Sequence, residues 1–314
     1  MENNNSFKRK IKNKIKADAI LSADWHIRPD VPVCRTDDFF KAMSDKIDFI
    51  LALSKEENCP VLIAGDLGNH ALNNGWPTWL SQWAINKFKG HNIIAILGQH
   101  DLPNHRLDLF GKSGVGILHA AGVINVIFKP VVVKNTFNIF PFSYGEPILS
   151  HESTGMPNIA MIHQMVVENK SLYPGQIAPK GNALLKKHPE FSIILSGDNH
   201  NPFVAEYEGR ALVNPGSITR STADQVEHTP RVYKWYAESN TIEAVFLPIQ
   251  KNVINREHIK LTKENDMRME AYIARIKKDV EIQLSFEKNM EAYLNKYRIK
   301  TNVKNKVFEA MEAK

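Results

Sequence analysis

Cysteine is scarce in this 314-residue chain: only Cys34 and Cys59 occur. Two thiols cannot supply a disulfide framework, and both read as small apolar residues of a reducing cytoplasm. No apolar run approaches the roughly 20 residues of a membrane span, so a membrane partner is not expected. The N-terminus has basic residues but lacks the apolar stretch of a secretory signal, which makes the cytoplasm the expected location. No internal repeat is present, which leaves repeat architectures aside. From about residue 262 onward glycine and proline almost vanish, which removes turn-rich structure from the C-terminal end.

What remains is ordinary in amount: 43% hydrophobic and 24% charged residues, the balance of a soluble globular protein. The length suits one large α/β domain or a domain with a smaller appendage, and it buries a core that needs no staple. The formal charge is +6. The excess gathers at the ends, in Lys8, Arg9, Lys10, Lys12, Lys14 and Lys16 and again in Lys296, Arg298, Lys300, Lys304 and Lys306. Such runs can collect phosphate backbone, or they can simply solubilise a tail and a helix face. Charge permits a nucleic-acid partner without establishing one.

Residues 1–16 are Asn- and Lys-rich without apolar periodicity and read as a flexible basic arm. Strand and helix signals then alternate to about residue 100, the βαβ pattern. Asp37 is the expected N-cap of a helix reaching about Glu57, with Phe39, Phe40, Met43, Ile47, Ile50 and Leu51 at helical spacing. Trp76, Trp79 and Trp83 fall at i, i+3 and i+7, as a helix packing stripe or, alternatively, as a stacking surface for bases. Strand texture dominates about 123–142. Two hairpins follow, turning at Glu208-Gly209 and at Glu238-Ser239-Asn240. Past Pro248 the character shifts, and 262–314 reads as helical. One apolar stripe there holds Met267, Met269, Tyr272, Ile273 and Ile276, and another holds Leu284, Phe286, Met290, Tyr293 and Leu294. The expected division is 1–16, 17–250 and 251–314.

Five short segments carry the chemistry: Asp24-Trp25-His26, Gly65-Asp66, Gly98-Gln99-His100-Asp101, His163 and Gly197-Asp198-Asn199-His200. Each follows an apolar, strand-like run. In open α/β sheets ligands gather beyond the carboxyl ends of strands, so the five point at one place. Carboxylate and imidazole together suit Mn, Fe or Zn, and a carboxylate can bridge two ions. Asp24 and His26 lie two apart, so a continuing strand would put them on one face. Gly65 permits a sharp turn into Asp66. His100 is a candidate acid or electrostatic stabiliser rather than a ligand. Alone, each motif has a bland reading, and an isolated His163 would be a hydrogen-bonded core histidine. His70, His105, His119, His151 and His228 are read as structural or surface residues, with His70 of interest because it adjoins the Asp66 loop.

The order of these segments resembles the calcineurin-like metallophosphoesterase superfamily, whose pattern runs Asp-x-His, Gly-Asp, Gly-Asn-His-Asp or Glu, an isolated His, then Gly-His-x-His. Within it the chain looks most like SbcD-type DNA repair exonucleases and their phage-encoded relatives. The long helix after the first motif, Gly98-Gln99-His100-Asp101, and Asn214-Pro215-Gly216-Ser217 fit that branch. The resemblance covers about residues 17–250. It implies a four-layer αββα sandwich with a C-terminal helical extension, and a Mn-dependent nuclease active in DNA repair, recombination or replication. Two divalent ions are implied, Mn first, with Mg, Fe or Zn as alternatives. Carried over by position, Asp24, His26 and His200 would hold the first ion, Asp66 would bridge, and Gln99, His163 and Asp198 would hold the second. His100 would act on the leaving group. DNA is the implied substrate, and an SbcC-like coiled-coil ATPase or a second copy of the chain the implied partner. The helices 262–314 would then be the docking element, or else pack on the sandwich.

Three positions depart from the pattern. Gln99 stands where Asn is usual, Asp198 where the first His of the last motif is usual, and Asn69 where nucleases of this branch often have His. An anionic Asp198 favours harder ions such as Mn or Mg around the second position. Two other readings stay open: a phosphomonoesterase or cyclic-nucleotide phosphodiesterase of the same fold, and a weakened DNA-binding or scaffold subunit.

Overall fold

The computed structural model describes residues 15–69, 75–152, 155–169, 177–257, 267–273 and 286–312. His70, most of the basic arm, Ile276 and Leu284 lie outside them. The chain forms two compact units, Met1–Asn255 and Arg256–Lys314.

The central strands of the first unit are short and buried, and their side chains alternate between two cores. In β2 (Val61–Ala64), Val61 and Ile63 face one cluster while Leu62 and Ala64 face another. In β3 (Ile93–Ile96), Ile93 and Ala95 oppose Ile94 and Ile96 in the same manner. Period-two alternation with both faces apolar means a sheet covered on both sides. That sheet has the order β12-β11-β1-β2-β3-β4. Here β1 is Ala19–Ser22, β4 Asn125–Val126, β11 Arg231–Tyr236 and β12 Thr241–Phe246. β1 to β4 run parallel, and the β11–β12 hairpin joins β1 antiparallel.

The second sheet has the order β5-β6-β7-β8-β10-β9. Its parallel heart is β6 (Phe137–Phe142), β7 (Asn158–His163), β8 (Ile193–Gly197) and β10 (Arg210–Asn214). β5 (Val131–Val133) and β9 (Phe203–Tyr207) close its edges antiparallel. Ile159, Met161, Ile193 and Leu195 turn toward the first sheet, and Ala160, Ile162 and Ile194 turn away from it.

Helices cover the outer faces. α1 (Phe39–Glu57), α2 (Thr78–Phe88) and α3 (Gly114–Ala120) pack on the first sheet, and α4 (Gly181–Lys187) on the second. Two mixed sheets flanked by helices are the expected αββα layering. Both expected hairpins form at the expected turns.

Two local expectations are corrected. The N-cap of α1 is Asp38, whose side chain accepts from Lys41 N at 2.9 Å, and not Asp37. Asp37 is taken by the Arg35 guanidinium, which donates to both of its oxygens at 2.7 and 2.6 Å. The Trp stripe is broken as well, because α2 starts at Thr78 and Trp76 precedes it, lying over Gly68 and Gly114. Trp79 and Trp83 do pack, each edge-on or tilted against Phe40 of α1 at 5.3 and 5.0 Å.

Beyond Pro248 the chain stays with the first unit as far as Asn255. Arg220 donates to Gln250 O, Thr36 N to Val253 O, and Asn255 N to Cys34 O. The second unit is helical over 267–273 (α5), Phe286–Lys296 (α6) and Thr301–Glu312 (α7). Met267, Met269, Tyr272 and Ile273 are exposed, whereas Leu294 is buried. Among the described residues no helix is long and apolar enough to cross a membrane.

Candidate metal centre

The carboxyl ends of β1, β2, β3, β7 and β8 meet at one rim, and each releases a polar residue there. Trp25 is fully buried, its indole N–H donating to Ser22 Oγ at 2.7 Å, and it anchors the turn that presents Asp24 and His26. These two do not share a strand face, because β1 has already ended. They converge since both adopt left-handed backbone, φ 52° and 47°. Asp66 and Asp198 do the same at 51° and 80°. Left-handed conformation in non-glycine residues is costly and persists where the surroundings impose it, often at functional sites. Here backbone hydrogen bonds impose it: Asp24 N to Gly65 O and His26 N to Asp66 O stitch the first two segments together.

Side chains then link the two sheets. His163, the last residue of β7, donates from Nδ1 to Ala64 O at 2.6 Å, which leaves Nε2 facing Asp66 Oδ2 at 3.4 Å. Asp198 N donates to Asp24 Oδ1 at 3.0 Å, and His100 N donates to Asp66 Oδ1 at 2.9 Å. The approach is close enough to require glycine. A Cβ on Gly98 would stand 2.1 Å from Asp66 Oδ1, and one on Gly65, at φ 81°, would stand 2.2 Å from His163 Nδ1.

Two triads place ligand-type atoms within 4.8 Å of one another: Asp24, His26 and His200, and Asp24, Asp66 and His163. Asp24 belongs to both. Asp66, a member of the second, also stands near the first, its Oδ2 3.7 Å from His26 Nε2. His26 Nε2 and His200 Nε2 are 2.9 Å apart, aimed at a common point. Gln99 and Asp198 reach the same rim but bond each other, Gln99 Nε2 donating to Asp198 Oδ1 at 2.7 Å, and Asp198 is in neither triad. The His100 ring stands beside them, 5.1 Å from that of His26.

The donor set fits cations. Among the described residues six buried side-chain polar atoms lack a hydrogen-bond partner, and four of them are Asp24 Oδ2, Asp66 Oδ2, Gln99 Oε1 and His163 Nε2. Buried polar atoms are nearly always satisfied, and a cluster of orphans on carboxylate, amide and imidazole is the signature of an ion's ligands. Protonation points the same way. Burial pushes His26 down to about 3 and also lowers His200, so both imidazoles are neutral, the form a metal ligand requires. Burial, with the charges of Asp66 and Asp198 added, pushes Asp24 up to about 8 against the pull of His163. At His163 burial is outweighed by the Asp66 carboxylate, which lifts the imidazole to about 10, while His163 holds Asp66 well below the usual carboxylate range despite its burial. A cation held beside Asp66 would therefore have to displace the His163 proton.

Two residues inside the quoted motifs, with no role legible in the sequence, act as supports. Asp101 is buried and accepts from Gly68 N at 2.7 Å and Gly98 N at 2.9 Å, tying the Asp66 and Gln99 loops together. Its signal was its place after His100. Asn214 donates to Asn199 O and Asn201 O at 2.6 and 2.8 Å, which fixes the turn carrying His200. His228 is structural as expected, bonded through Nε2 to Ser217 O at 2.8 Å.

A two-sheet α/β sandwich with carboxylate and imidazole donors gathered at one rim has the architecture of a metallophosphoesterase. The family model described as calcineurin-like phosphoesterase matches residues 19–246, and the chain belongs to that family. No curated protein matches the sequence. Solved structures similar to it include TT1561 of Thermus thermophilus, at 10% identity and TM-score 0.45 over 75% of this chain and 100% of that one. A protein titled a novel archaeal phosphodiesterase is 14% identical, with TM-score 0.39 over 73% of this chain and 99% of its own. Vps29 of Entamoeba histolytica, solved with zinc, is 13% identical, with TM-score 0.32 over 73% of this chain and 97% of its own.

Proposed function

We propose that this chain is a metal-dependent phosphodiesterase that cleaves DNA. The carrying observation is the set of four orphaned, buried ligand atoms at the rim, on a fold of the phosphoesterase family. Bound divalent ions supply Lewis acidity to phosphoryl oxygens and lower the pKa of water, whichever of Mn, Mg, Fe or Zn fills the site. Asp24, His26 and His200 would hold one ion, Asp66 would stand between, and His163 with Gln99 and Asp198 would hold the other. His100, fixed through its backbone to Asp66 with its ring beside the first set, would stabilise or protonate the leaving oxygen. The formal charge of +6 and the basic residues near both ends support an extended polyanion over a small ester. An SbcC-like ATPase or a second copy of the chain would be its partner on this reading, and light scattering with and without DNA reads the assembly.

The test compares purified Mn-loaded protein on labelled single- and double-stranded DNA, bis-p-nitrophenyl phosphate and cyclic nucleotides. DNA digestion that disappears in Asp66→Asn supports the proposal. Turnover confined to small esters or cyclic nucleotides would redirect it to a small-molecule phosphoesterase.

A second reading has its own observation. Gln99 and Asp198 spend polar atoms on each other, which loosens the second position and favours a DNA-binding or scaffold subunit. Elemental analysis separates the two. One ion per chain at saturating Mn, with DNA bound but uncut, is the scaffold's outcome.

A further inference from the structure

A row of rings leads outward from the candidate centre. The His26 ring contacts that of His100 at 5.1 Å, His100 contacts His105 at 6.5 Å, and His105 contacts Tyr144 at 6.3 Å. The first two belong to the rim already described. The last two are exposed, and neither imidazole nitrogen nor phenol hydroxyl is hydrogen-bonded to a described residue. Two aromatic side chains held against each other at the surface, with polar atoms unspent, are groups prepared for something outside the chain.

Their backbones are fixed, which separates this pair from incidental surface rings. Asn104 and His105 are consecutive non-glycine residues in left-handed conformation, φ 53° and 56°, in the loop that begins at the Gln99–Asp101 turn. Two such residues in sequence are disfavoured, and they hold the exposed His105 ring within reach of His100. Tyr144 comes from the other sheet, just past the end of β6. Its N–H donates to Leu97 O at 2.8 Å, and Leu97 N donates to Ser143 Oγ at 3.2 Å. The residue before the metal-site loop and the residue bearing the tyrosine are thus bonded directly. The lip is braced from both sheets and borders the rim beside His100.

We infer that His105 and Tyr144 form an aromatic subsite that stacks on the nucleobase of the phosphoester being cleaved. This rests on the phosphodiesterase reading and deepens it by naming the side chains that would hold a base of the substrate. Flat rings give stacking energy to any base, since every base has a π-face, and so they favour nucleotides without selecting sequence. The imidazole and phenol edges add hydrogen-bonding capacity toward sugar or phosphate.

The test uses the full-length Mn-loaded protein with two esters that share a leaving group: the p-nitrophenyl ester of thymidine 5′-phosphate and methyl p-nitrophenyl phosphate. The wild type should prefer the nucleoside ester through a lower KM. In His105→Ala/Tyr144→Ala that preference should fall about tenfold, the order expected for a lost base-stacking platform. Tyr144→Phe and His105→Phe keep flat rings and should retain most of the preference, which a loop disturbed only in position would not. Calorimetric binding of thymidine 5′-phosphate against methyl phosphate gives a second readout that needs no turnover. A wild type that binds both equally, or a double alanine variant with its preference intact, overturns the subsite. Failure to hydrolyse either ester, with DNA also left uncut, overturns the phosphodiesterase reading instead, and calorimetry still decides the subsite.

Discussion

The two oxygens of Asp66 have separate tasks. Oδ1 is fixed by His100 N–H, and Oδ2 is left toward His26 and His163. Asp66→Asn keeps the shape and removes the charge. Turnover should fall to background, and the His163 imidazole, lifted to about 10 by this carboxylate before all other groups, should titrate far lower in the metal-free variant. Proton NMR of the imidazole reads the second effect independently of activity, and an unmoved His163 would refute the pairing. The same pair sets the pH dependence of metal binding. Below about 10 His163 holds a proton that a cation must displace, and below about 8 Asp24 holds another. Affinity should therefore rise with pH from 6 to 8, with net proton release on binding, measurable by calorimetry in buffers of different ionisation enthalpy. Flat affinity across that range would contradict these protonation states. Gly98→Ala should strike the same carboxylate from its other side. Its Cβ would stand 2.1 Å from Asp66 Oδ1, so metal binding should be lost out of proportion to any fall in thermal stability.

At the level of elements, the sequence announces some structures and hides others for physical reasons. Strand ends are legible because apolar runs of four or five residues stop at polar segments, and both hairpins are legible because their turns carry Gly or Asn between alternating strands. The start of α1 differs by one residue from its expected place because Asp37 and Asp38 are equally competent caps. Only the tertiary position of Arg35 shows that Asp37 is engaged. Asp24 and His26 converge as expected but by another cause: left-handed backbone brings them together, not alternation along a strand. The Gln99–Asp198 bond joins residues 99 positions apart and leaves no local trace. Asn214 is the element-scale control. It grips the Asn199–Asn201 turn from the end of β10, so Asn214→Ala should cost about 10–100-fold in metal affinity or turnover, the usual loss when a ligand's supporting partner goes. Circular dichroism should stay native. A variant that loses its fold along with its metal would make Asn214 a structural residue alone.

The candidate centre draws on both halves of the sandwich, which ties metal binding to the stability of the whole first unit. Asp24, Asp66 and Gln99 follow strands of one sheet, whereas His163, Asp198 and His200 end or follow strands of the other. Between the sheets lies an apolar core that is indifferent to metal, crossed at the rim by the His163–Ala64 and Asp198–Asp24 hydrogen bonds. Ions held at the rim would act as a further cross-link between layers, so binding free energy should appear as stability of the unit and not of one loop. For a free ion at about a thousand times its dissociation constant, linkage gives roughly 4 kcal/mol. For a unit of this size that corresponds to a rise in melting temperature of the order of 10 °C. Differential scanning calorimetry with Mn titrated into metal-free protein measures it. Removing a donor from either sheet, by His26→Ala on one side or His163→Ala on the other, should shrink the shift. A wild type whose melting point ignores Mn, or a shift that survives both substitutions unchanged, would show that the rim does not hold the ions.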